Sequence, residues 1–241
     1  MSSVAVIFAG GTGQRMNTRT RPKQFLELHG KPIIVYTLEA FNQHSEIDGI
    51  VVVMLESYID YTWDLVRRYA LHKVKEIVPG GSSGQESIYN GLSAAAQIYG
   101  ENDIVLIHDG VRPLIDEDTI TANIRSVEER GTAITVTAAI ETITMKDETG
   151  AVGTIIDRSQ CELARAPQSF RLGQILDVHN RARNESEPLS FIDSASMMKH
   201  YGYKLYTVEG KPENIKITTP SDFYIFRAMV DARESSQIFG I

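Results

Sequence analysis

The sequence predicts a three-layer α/β sandwich with a mostly parallel central sheet, and three observations lead to this prediction. Continuous apolar runs at residues 4–9, 49–55 and 103–108 are rich in β-branched side chains, which is typical of strands buried on both faces. Segments with apolar residues at helical spacing lie between these runs. The first and third runs end at glycine. Strands that alternate with helices form parallel sheets, and ligands bind such sheets at the carboxyl ends of the strands.

The first half of the chain supplies this alternation in order. Between the first two strands, the apolar spacing predicts a helix over residues 33–41. Trp63 and the tyrosines near it lie in a helical stretch whose rings cover the sheet. A short strand at 76–78 and a helix at 87–99 come before the third long strand.

The second half adds a projecting hairpin and further helices. A strand is predicted at 133–139, and residues 141–145 and 151–156 form a hairpin around the turn at 146–150. This arm, at about residues 138–160, needs a partner to bury its apolar face. The remaining predictions are helices at 172–183, 193–201 and 221–233, the last of them capped by Ser221, and a strand at 204–209.

Composition excludes several classes of protein. The formal charge of −7 on 241 residues argues against nucleic acid as a partner, because phosphate backbones are held by clustered cations. Cys161 is the one cysteine, so no internal disulfide forms and we expect a cytoplasmic protein. No apolar run approaches the roughly 20 residues that span a membrane, and no signal peptide is expected. Since no repeat or linker interrupts the chain, we expect one domain over residues 1–241.

A glycine-rich loop follows the first strand, in Phe8-Ala9-Gly10-Gly11-Thr12-Gly13-Gln14-Arg15-Met16. Because its three glycines lack Cβ atoms, backbone N–H groups can surround phosphate oxygens, and Arg15 can add a bidentate contact. A tight strand-to-helix turn without a ligand explains the glycines equally well. A Walker A motif is excluded because no lysine follows Gly13, and the dinucleotide fingerprint is weak because Met16 stands at its third glycine.

A second cation follows on the same predicted loop system, in Arg21-Pro22-Lys23-Gln24-Phe25-Leu26. A lysine in isolation is usually a solvated surface residue. Lys23 together with Arg15 instead suits phosphoryl transfer, because fixed positive charge stabilises the charge that accumulates on the oxygens of the attacked phosphorus.

Two further strand ends carry candidate ligand-binding residues. In the loop Gly80-Gly81-Ser82-Ser83-Gly84-Gln85-Glu86-Ser87, Ser87 either caps the next helix or bonds a base or phosphate. Asp109 follows the third long strand, where a carboxylate is the ligand expected for a magnesium ion carried by a nucleotide. An Asp-Gly turn without a metal is the competing interpretation. We interpret His108 as a packing group and Cys161 as a spectator thiol.

Taken together, these motifs resemble the cytidylyltransferases that act on small sugar-alcohol phosphates. That family includes the methylerythritol-phosphate and ribitol-5-phosphate enzymes, and the matches run in order over residues 4–226. The motifs are Ala9-Gly10-Gly11-x-Gly-x-Arg15-Met16, Pro22-Lys23-Gln24-Phe25, Gly80-Gly81 with Ser87, His108-Asp109-Gly110-Val111-Arg112-Pro113, Ala166-Pro167-Gln168-Ser169-Phe170 and Asn214-Ile215-Lys216-Ile217-Thr218-Thr219-Pro220.

The resemblance implies a Rossmann-like nucleotide-binding sheet with a protruding β-arm. It also implies a magnesium-dependent reaction that joins CTP to an alditol phosphate and releases pyrophosphate, for teichoic acid, capsule or isoprenoid biosynthesis. Arg15 and Lys23 would stabilise the pentacoordinate transition state, and Asp109 would lie near the magnesium ion. The residues that would line the CTP site are Phe8, Ala9, Gly10, Gly11, Gly81, Ser87, Asp109 and Gly110.

On the substrate side, the resemblance implies that Arg112 and Lys216 bind the alditol phosphate. Arg158 would reach the substrate phosphate from the arm of a neighbouring subunit, so a homodimer is expected. The resemblance thus implies a function for the predicted arm, because the arm of one subunit would complete the site of the other.

Three segments depart from the family pattern. Gly84 stands where many relatives have arginine, and Ala166 stands where many have threonine. The run from Asp109 to Pro113 departs from the Asp-Ala-Ala-Arg-Pro of relatives that act on methylerythritol phosphate, so we favour D-ribitol 5-phosphate, with 2-C-methyl-D-erythritol 4-phosphate as the alternative.

Two hypotheses from other classes compete with this one. A non-catalytic nucleotide-binding regulator would keep the fold without turnover, but the chain retains both proposed catalytic cations. A dinucleotide-dependent oxidoreductase is disfavoured by Met16 at the third glycine position of the fingerprint.

We predict that Arg15→Ala and Lys23→Ala each lower turnover by at least roughly 10²-fold, because each removes a preorganised charge from the transition state. Pyrophosphate release from CTP and an alditol phosphate measures this. Near-normal turnover in both variants would remove the two residues from the mechanism.

Overall fold

The computed structural model describes residues 1–11, 21–186 and 189–239. The strands are β1 Ser3–Ala9, β2 Glu27–Leu28, β3 Lys31–Pro32, β4 Gly49–Met54, β5 Val74–Pro79, β6 Ile104–Asp109, β7 Thr132–Ala138, β8 Ile143–Lys146, β9 Val152–Ile156, β10 Glu162–Arg171 and β11 Thr207–Glu209. The α-helices are α1 Ile33–Gln43, α2 Ile59–Arg68, α3 Gly84–Ala95, α4 Glu117–Arg130, α5 Leu172–Arg183, α6 Ser194–His200 and α7 Pro220–Phe239.

A seven-stranded sheet runs through the molecule in the order β11-β7-β10-β6-β1-β4-β5. β1 lies between β4 and β6 and is parallel to both, as the three apolar runs predict. β10 alone runs antiparallel, between β6 and β7. The mostly parallel α/β sandwich is confirmed, whereas β10 was not predicted, because its sequence ELARAPQSFR has neither a continuous apolar run nor a regular alternation.

Helices pack on both faces of the sheet and divide the core into two layers. One layer packs α1, α2 and α4 against the sheet, and the partly buried Trp63 and its neighbouring tyrosines cover this layer as predicted. The other layer packs α3, α5 and α6. A smaller cluster joins the β2–β3 hairpin to α7 through Phe226 and Ile217. With both faces covered, the polar loops converge at the carboxyl edge of the parallel strands.

Two predicted helix starts are wrong. α3 begins at Gly84 rather than at Ser87, because the Ser83 side chain accepts the hydrogen bond from the Glu86 backbone N–H and caps the helix. α7 begins at Pro220, so Ser221 lies in its first turn and is not the cap. The Asp222 carboxylate instead accepts the backbone N–H groups of the two residues before Pro220.

The arm is a two-stranded antiparallel hairpin of β8 and β9, as predicted. Its large apolar side chains are exposed on the single chain: Ile140, Met145, Val152 and Ile155. In the part of the chain that the structure describes, no helix has the length and apolar character needed to cross a membrane.

Candidate active site

Two adjoining cavities open at the carboxyl edge of the sheet. The first has a volume of about 570 Å³ and lies between the ends of β1 and β6, the loop after β5, and two lysines, Lys23 and Lys216. The second has a volume of about 610 Å³ and extends from the end of β6 toward β10 and the segment before α6. Both cavities are lined by Phe8, Ser83, Gly84, Asp109 and Lys216. A ligand in one cavity therefore lies directly beside a ligand in the other.

The end of β1 supplies backbone to the first cavity. The Gln24 side-chain amide holds this segment, because its Nε2 donates to the carbonyl oxygens of Ala9 at 2.6 Å and Gly11 at 3.3 Å. Phe8, Ala9, Gly10 and Gly11, the residues of this segment predicted to bind CTP, line the cavity. Arg15, the proposed catalytic cation of this loop, lies outside the described residues, as does Gly13.

Gly110 supports the cavity from beneath rather than lining it. A Cβ atom at this position would lie 2.8 Å from the Cβ of Ala9, which is closer than real Cβ contacts. The Gly110 N–H donates to the Phe8 carbonyl at 3.0 Å. Glycine at this position thus lets the ends of β1 and β6 approach each other.

Ser87 organises the second glycine loop from within α3. Its hydroxyl accepts the Gly81 N–H at 3.0 Å and donates to the Ser83 carbonyl at 2.9 Å. Gly81 and Ser87, both predicted to bind CTP, line the first cavity together with the N-terminal residues of α3. The N-terminus of a helix favours anions, since its N–H groups are unpaired and its dipole is positive there.

The centre of the site is the Asp109 carboxylate, which two cations share. Arg112 Nε lies 2.7 Å from Oδ2, and Lys216 Nζ lies 2.6 Å from Oδ1. The Asp109 side chain is 7% exposed. Burial by itself raises the pKa of Asp109, but Arg112 and Lys216 outweigh it and lower the pKa to about 2. Asp109 is therefore a carboxylate at every physiological pH.

The same cluster joins three separate segments. Arg112 Nη1 donates to the Asn214 carbonyl at 3.0 Å, and Asn214 Nδ2 donates to the Ala166 carbonyl of β10 at 2.6 Å. Lys23, which also lines the first cavity, donates from Nζ to the carbonyl oxygen of Ile217, the residue after Lys216, at 3.0 Å. The geometry places four predicted site residues around the two adjoining cavities: Lys23, Asp109, Arg112 and Lys216.

His108 takes no part in this cluster as an acid or base. Burial lowers its pKa to about 4, so the ring is neutral near pH 7. Its Nε2 lies 3.3 Å from the Arg112 carbonyl oxygen, and its ring packs against Phe41. The interpretation of His108 as a packing group agrees with these contacts.

Arg158 is the one predicted substrate-binding residue in the described part that does not line either cavity of its own chain. It lies at the base of the arm, where Nη1 donates to the Ile140 carbonyl at 2.7 Å.

The site fits a magnesium ion that arrives with a nucleotide. Such an ion needs about one protein carboxylate besides phosphate and water oxygens, and Asp109 is the one carboxylate lining the first cavity among the described residues. Both of its oxygens already accept from a cation, but each keeps a second lone pair. The one described group of three possible metal ligands, His29, Asp231 and Glu234, lies away from both cavities.

Several residues of the site have no role in the sequence-based prediction. Gln24 belongs to the motif Pro22-Lys23-Gln24-Phe25. Its hydrogen bonds to the carbonyl oxygens of Ala9 and Gly11 are contacts that no local pattern reveals. Gln168, Asp193 and Ser194 line the second cavity. Asp193 was recognisable only as a helix start, and it does cap α6.

Comparison with known proteins shows similarity to cytidylyltransferases over nearly the whole chain. The model of the 2-C-methyl-D-erythritol 4-phosphate cytidylyltransferase (IspD) family matches residues 3–232. A ribitol-5-phosphate cytidylyltransferase of Streptococcus agalactiae serotype V is 50% identical over 241 residues, covering 100% of both chains. A 2-C-methyl-D-erythritol 4-phosphate cytidylyltransferase of Clostridium botulinum is 38% identical over 220 residues, covering 91% of this chain and 93% of the relative.

The fold is also found among solved structures. A 4-diphosphocytidyl-2C-methyl-D-erythritol synthase from Anaerococcus prevotii superposes with a TM-score of 0.82, covering 95% of this chain and 98% of that chain at 24% identity. This likeness concerns the fold alone.

We predict that Asp109→Asn lowers the free energy of unfolding at pH 7 by at least about 2 kcal/mol, since a folded-state pKa near 2 lies well below the unfolded value. A lowered carboxyl pKa stabilises the fold fully above about pH 4, and this stabilisation is lost as the pH falls toward 2. In urea titrations, the difference in free energy of unfolding between wild type and variant should therefore be constant from pH 7 to 5 and smaller at pH 3.

The matched control is Asp64→Asn, which removes an exposed ion pair with Arg67. Its effect should stay below about 1 kcal/mol. Equal effects of the two substitutions, or a difference for Asp109→Asn that widens toward pH 3, would contradict the prediction.

Proposed function

Because the chain belongs to the 2-C-methyl-D-erythritol 4-phosphate cytidylyltransferase (IspD) family, we propose that it joins CTP to D-ribitol 5-phosphate, giving CDP-ribitol and pyrophosphate. The observation that carries the proposal is the pair of adjoining cavities that share Asp109 and Lys216. One cavity accommodates the nucleotide and the other the acceptor, so their phosphates meet where the cavities join.

The choice of ribitol 5-phosphate is supported by the relatives. Proteins with half of their residues identical to this chain are named ribitol-5-phosphate cytidylyltransferases, whereas those named for methylerythritol phosphate are more distant. Gly110 and Val111, which replace the two alanines of the methylerythritol pattern, point in the same direction. Transfer to 2-C-methyl-D-erythritol 4-phosphate is the alternative reaction.

The proposed reaction is an in-line displacement at the α-phosphorus of CTP. An oxygen of the acceptor phosphate forms a new bond to the α-phosphorus. The bond from the α-phosphorus to the oxygen that bridges it to the β-phosphorus breaks. Pyrophosphate leaves with the electron pair. The attacking phosphate is already an anion near neutral pH, so no residue has to remove a proton from it.

The protein's contribution is to position two polyanions and to stabilise the charge between them. The backbone of Gly10 and Gly11 and the N-terminus of α3, which line the first cavity, are assigned to the triphosphate. Lys23 and Lys216, which both line the first cavity, bring positive charge to the reacting phosphorus, and we assign Arg15 to the same task. Asp109 holds Lys216 in place through their 2.6 Å contact.

Magnesium is part of the proposal, with Asp109 as its protein ligand. When bound, the ion would neutralise charge on the triphosphate. The second lone pairs of the Asp109 oxygens are available for it without loss of the contacts to Arg112 and Lys216.

We also propose that the protein acts as a homodimer in the cytoplasm. The exposed apolar side chains of the arm support a partner chain, because a hairpin of two strands is marginal by itself in water. Arg158 at the base of the arm would then reach the acceptor phosphate in the other subunit. The single cysteine of the sequence agrees with a reducing compartment.

We expect pyrophosphate release when the protein is incubated with CTP, magnesium and D-ribitol 5-phosphate, and at least tenfold lower kcat/KM with 2-C-methyl-D-erythritol 4-phosphate. Parallel reactions with ATP, GTP and UTP test the base. Preference for the methylerythritol substrate selects the alternative reaction. CTP binding in calorimetry without pyrophosphate release from any acceptor would indicate a nucleotide-binding regulator instead.

We expect Ile155→Asp in the arm to shift the sedimenting species from two chains to one, because it places a charge in the apolar face that we assign to the dimer. Turnover should fall with it if Arg158 acts across the interface. The control Ile98→Asp changes an exposed apolar residue outside the arm and should leave mass and turnover unchanged. A wild-type protein that sediments as one chain at assay concentration would contradict the dimer.

A further inference from the structure

Arg165 is a cation of the second cavity that the proposed mechanism leaves without a function. Three cations line this cavity: Arg112, Arg165 and Lys216. The first and the last are paired with Asp109. Arg165 pairs with no carboxylate among the described residues, and its one hydrogen bond there is from Nε to the Thr137 hydroxyl at 3.3 Å. Its two terminal nitrogens donate to none of those residues.

A bulge in β10 directs Arg165 into the cavity. Ala164 of β10 pairs with Val136 of β7, and the next pair joins Gln168 to Ile134. Three residues, 165–167, thus lie opposite one residue of β7, Thr135. The Thr135 hydroxyl fastens the bulge by donating to the Pro167 carbonyl at 2.7 Å. Bulges of this kind redirect a side chain out of the regular alternation of a strand.

The second cavity carries an excess of positive charge. Its carboxylates among the described residues are Asp109, which two cations share, and Asp193. Asp193 is committed elsewhere: Oδ2 accepts from Gln168 Nε2 at 2.7 Å, and Oδ1 accepts from the Ser196 N–H at 2.8 Å as the cap of α6. Partial burial and the charge of Arg112 both lower the pKa of Arg165.

We propose that Arg165 binds the phosphate of the acceptor alditol phosphate and thereby selects phosphorylated acceptors. The planar guanidinium matches two oxygens of a phosphate group, and both of its terminal nitrogens are available for that contact. The second cavity is the one assigned to the acceptor, and the phosphate is the acceptor's only anionic group. This inference rests on the proposed function, and the experiment below distinguishes failure of the phosphate contact from failure of that function.

The test compares Arg165→Gln and Arg165→Lys with the wild type by steady-state kinetics. We expect Arg165→Gln to raise KM for D-ribitol 5-phosphate at least tenfold, while kcat at saturation and KM for CTP change less than twofold. Arg165→Lys keeps the charge without the fork and should give an intermediate KM. The control Arg68→Gln removes an exposed arginine of α2 outside both cavities and should change none of these values.

Glycerol 3-phosphate, which keeps the phosphate and lacks two hydroxyl-bearing carbons, shows which part of the acceptor Arg165 contacts. As a competitive inhibitor of D-ribitol 5-phosphate, it should lose affinity for Arg165→Gln by the same factor as the substrate. An unchanged inhibition constant beside a raised KM would assign Arg165 to a distal hydroxyl and overturn the phosphate contact. An unchanged KM, or an equal rise in KM for CTP, would overturn the proposal entirely.

One further measurement, of ligand binding, tests the proposal without requiring turnover. If the wild type releases no pyrophosphate with any acceptor, the proposed function fails. Calorimetry of glycerol 3-phosphate with wild type and Arg165→Gln, at equal thermal unfolding midpoints, then tests the phosphate contact by itself. Equal affinities would overturn it, and at least tenfold weaker binding by the variant would support it.

Discussion

The site depends on one buried carboxylate shared by two cations. Asp109 stands at the end of β6 and binds Arg112 from its own loop and Lys216 from a distant segment. Neither the carboxylate nor the guanidinium could stay this deeply buried alone, because an unpaired buried charge is strongly destabilising. The ion pairs, with the hydrogen bonds of Asn214, therefore hold β6, β10 and the segment around Asn214 in one arrangement. Residues of these segments line the two cavities.

Backbone approach and local charge complete what this cluster begins. Gly110 lets the ends of β1 and β6 come close, Gln24 holds the backbone at Ala9 and Gly11, and Ser87 holds the loop after β5 at Gly81. The chain is acidic, with a formal charge of −7, yet cations outnumber carboxylates among the described residues that line the two cavities. A small polyanion needs only a few cations at strand ends, whereas extended nucleic acid needs a broad basic surface.

Most of the fold could be predicted from local pattern. The apolar runs and the helical spacings depend on burial, which periodicity reports directly, so β1, β4, β6 and the hairpin lie where expected. β10 could not be predicted, because its alternation is broken by the bulge at residues 165–167. The cap of α3 was misplaced since several serines stand in sequence there, and only the backbone geometry selects Ser83.

The sequence by itself determined the alternation of strands and helices, the glycine loops at strand ends and the residue types that suit phosphates. These features are local: each depends on neighbours within a few positions. Only the tertiary structure decided that Asp109 is shared between Arg112 and Lys216, that Arg158 lies outside the two cavities at the strand ends, and that Arg165 lines the second cavity with no carboxylate partner among the described residues. Such facts arise from contacts between segments far apart in the chain, and no short-range pattern encodes which charged groups meet.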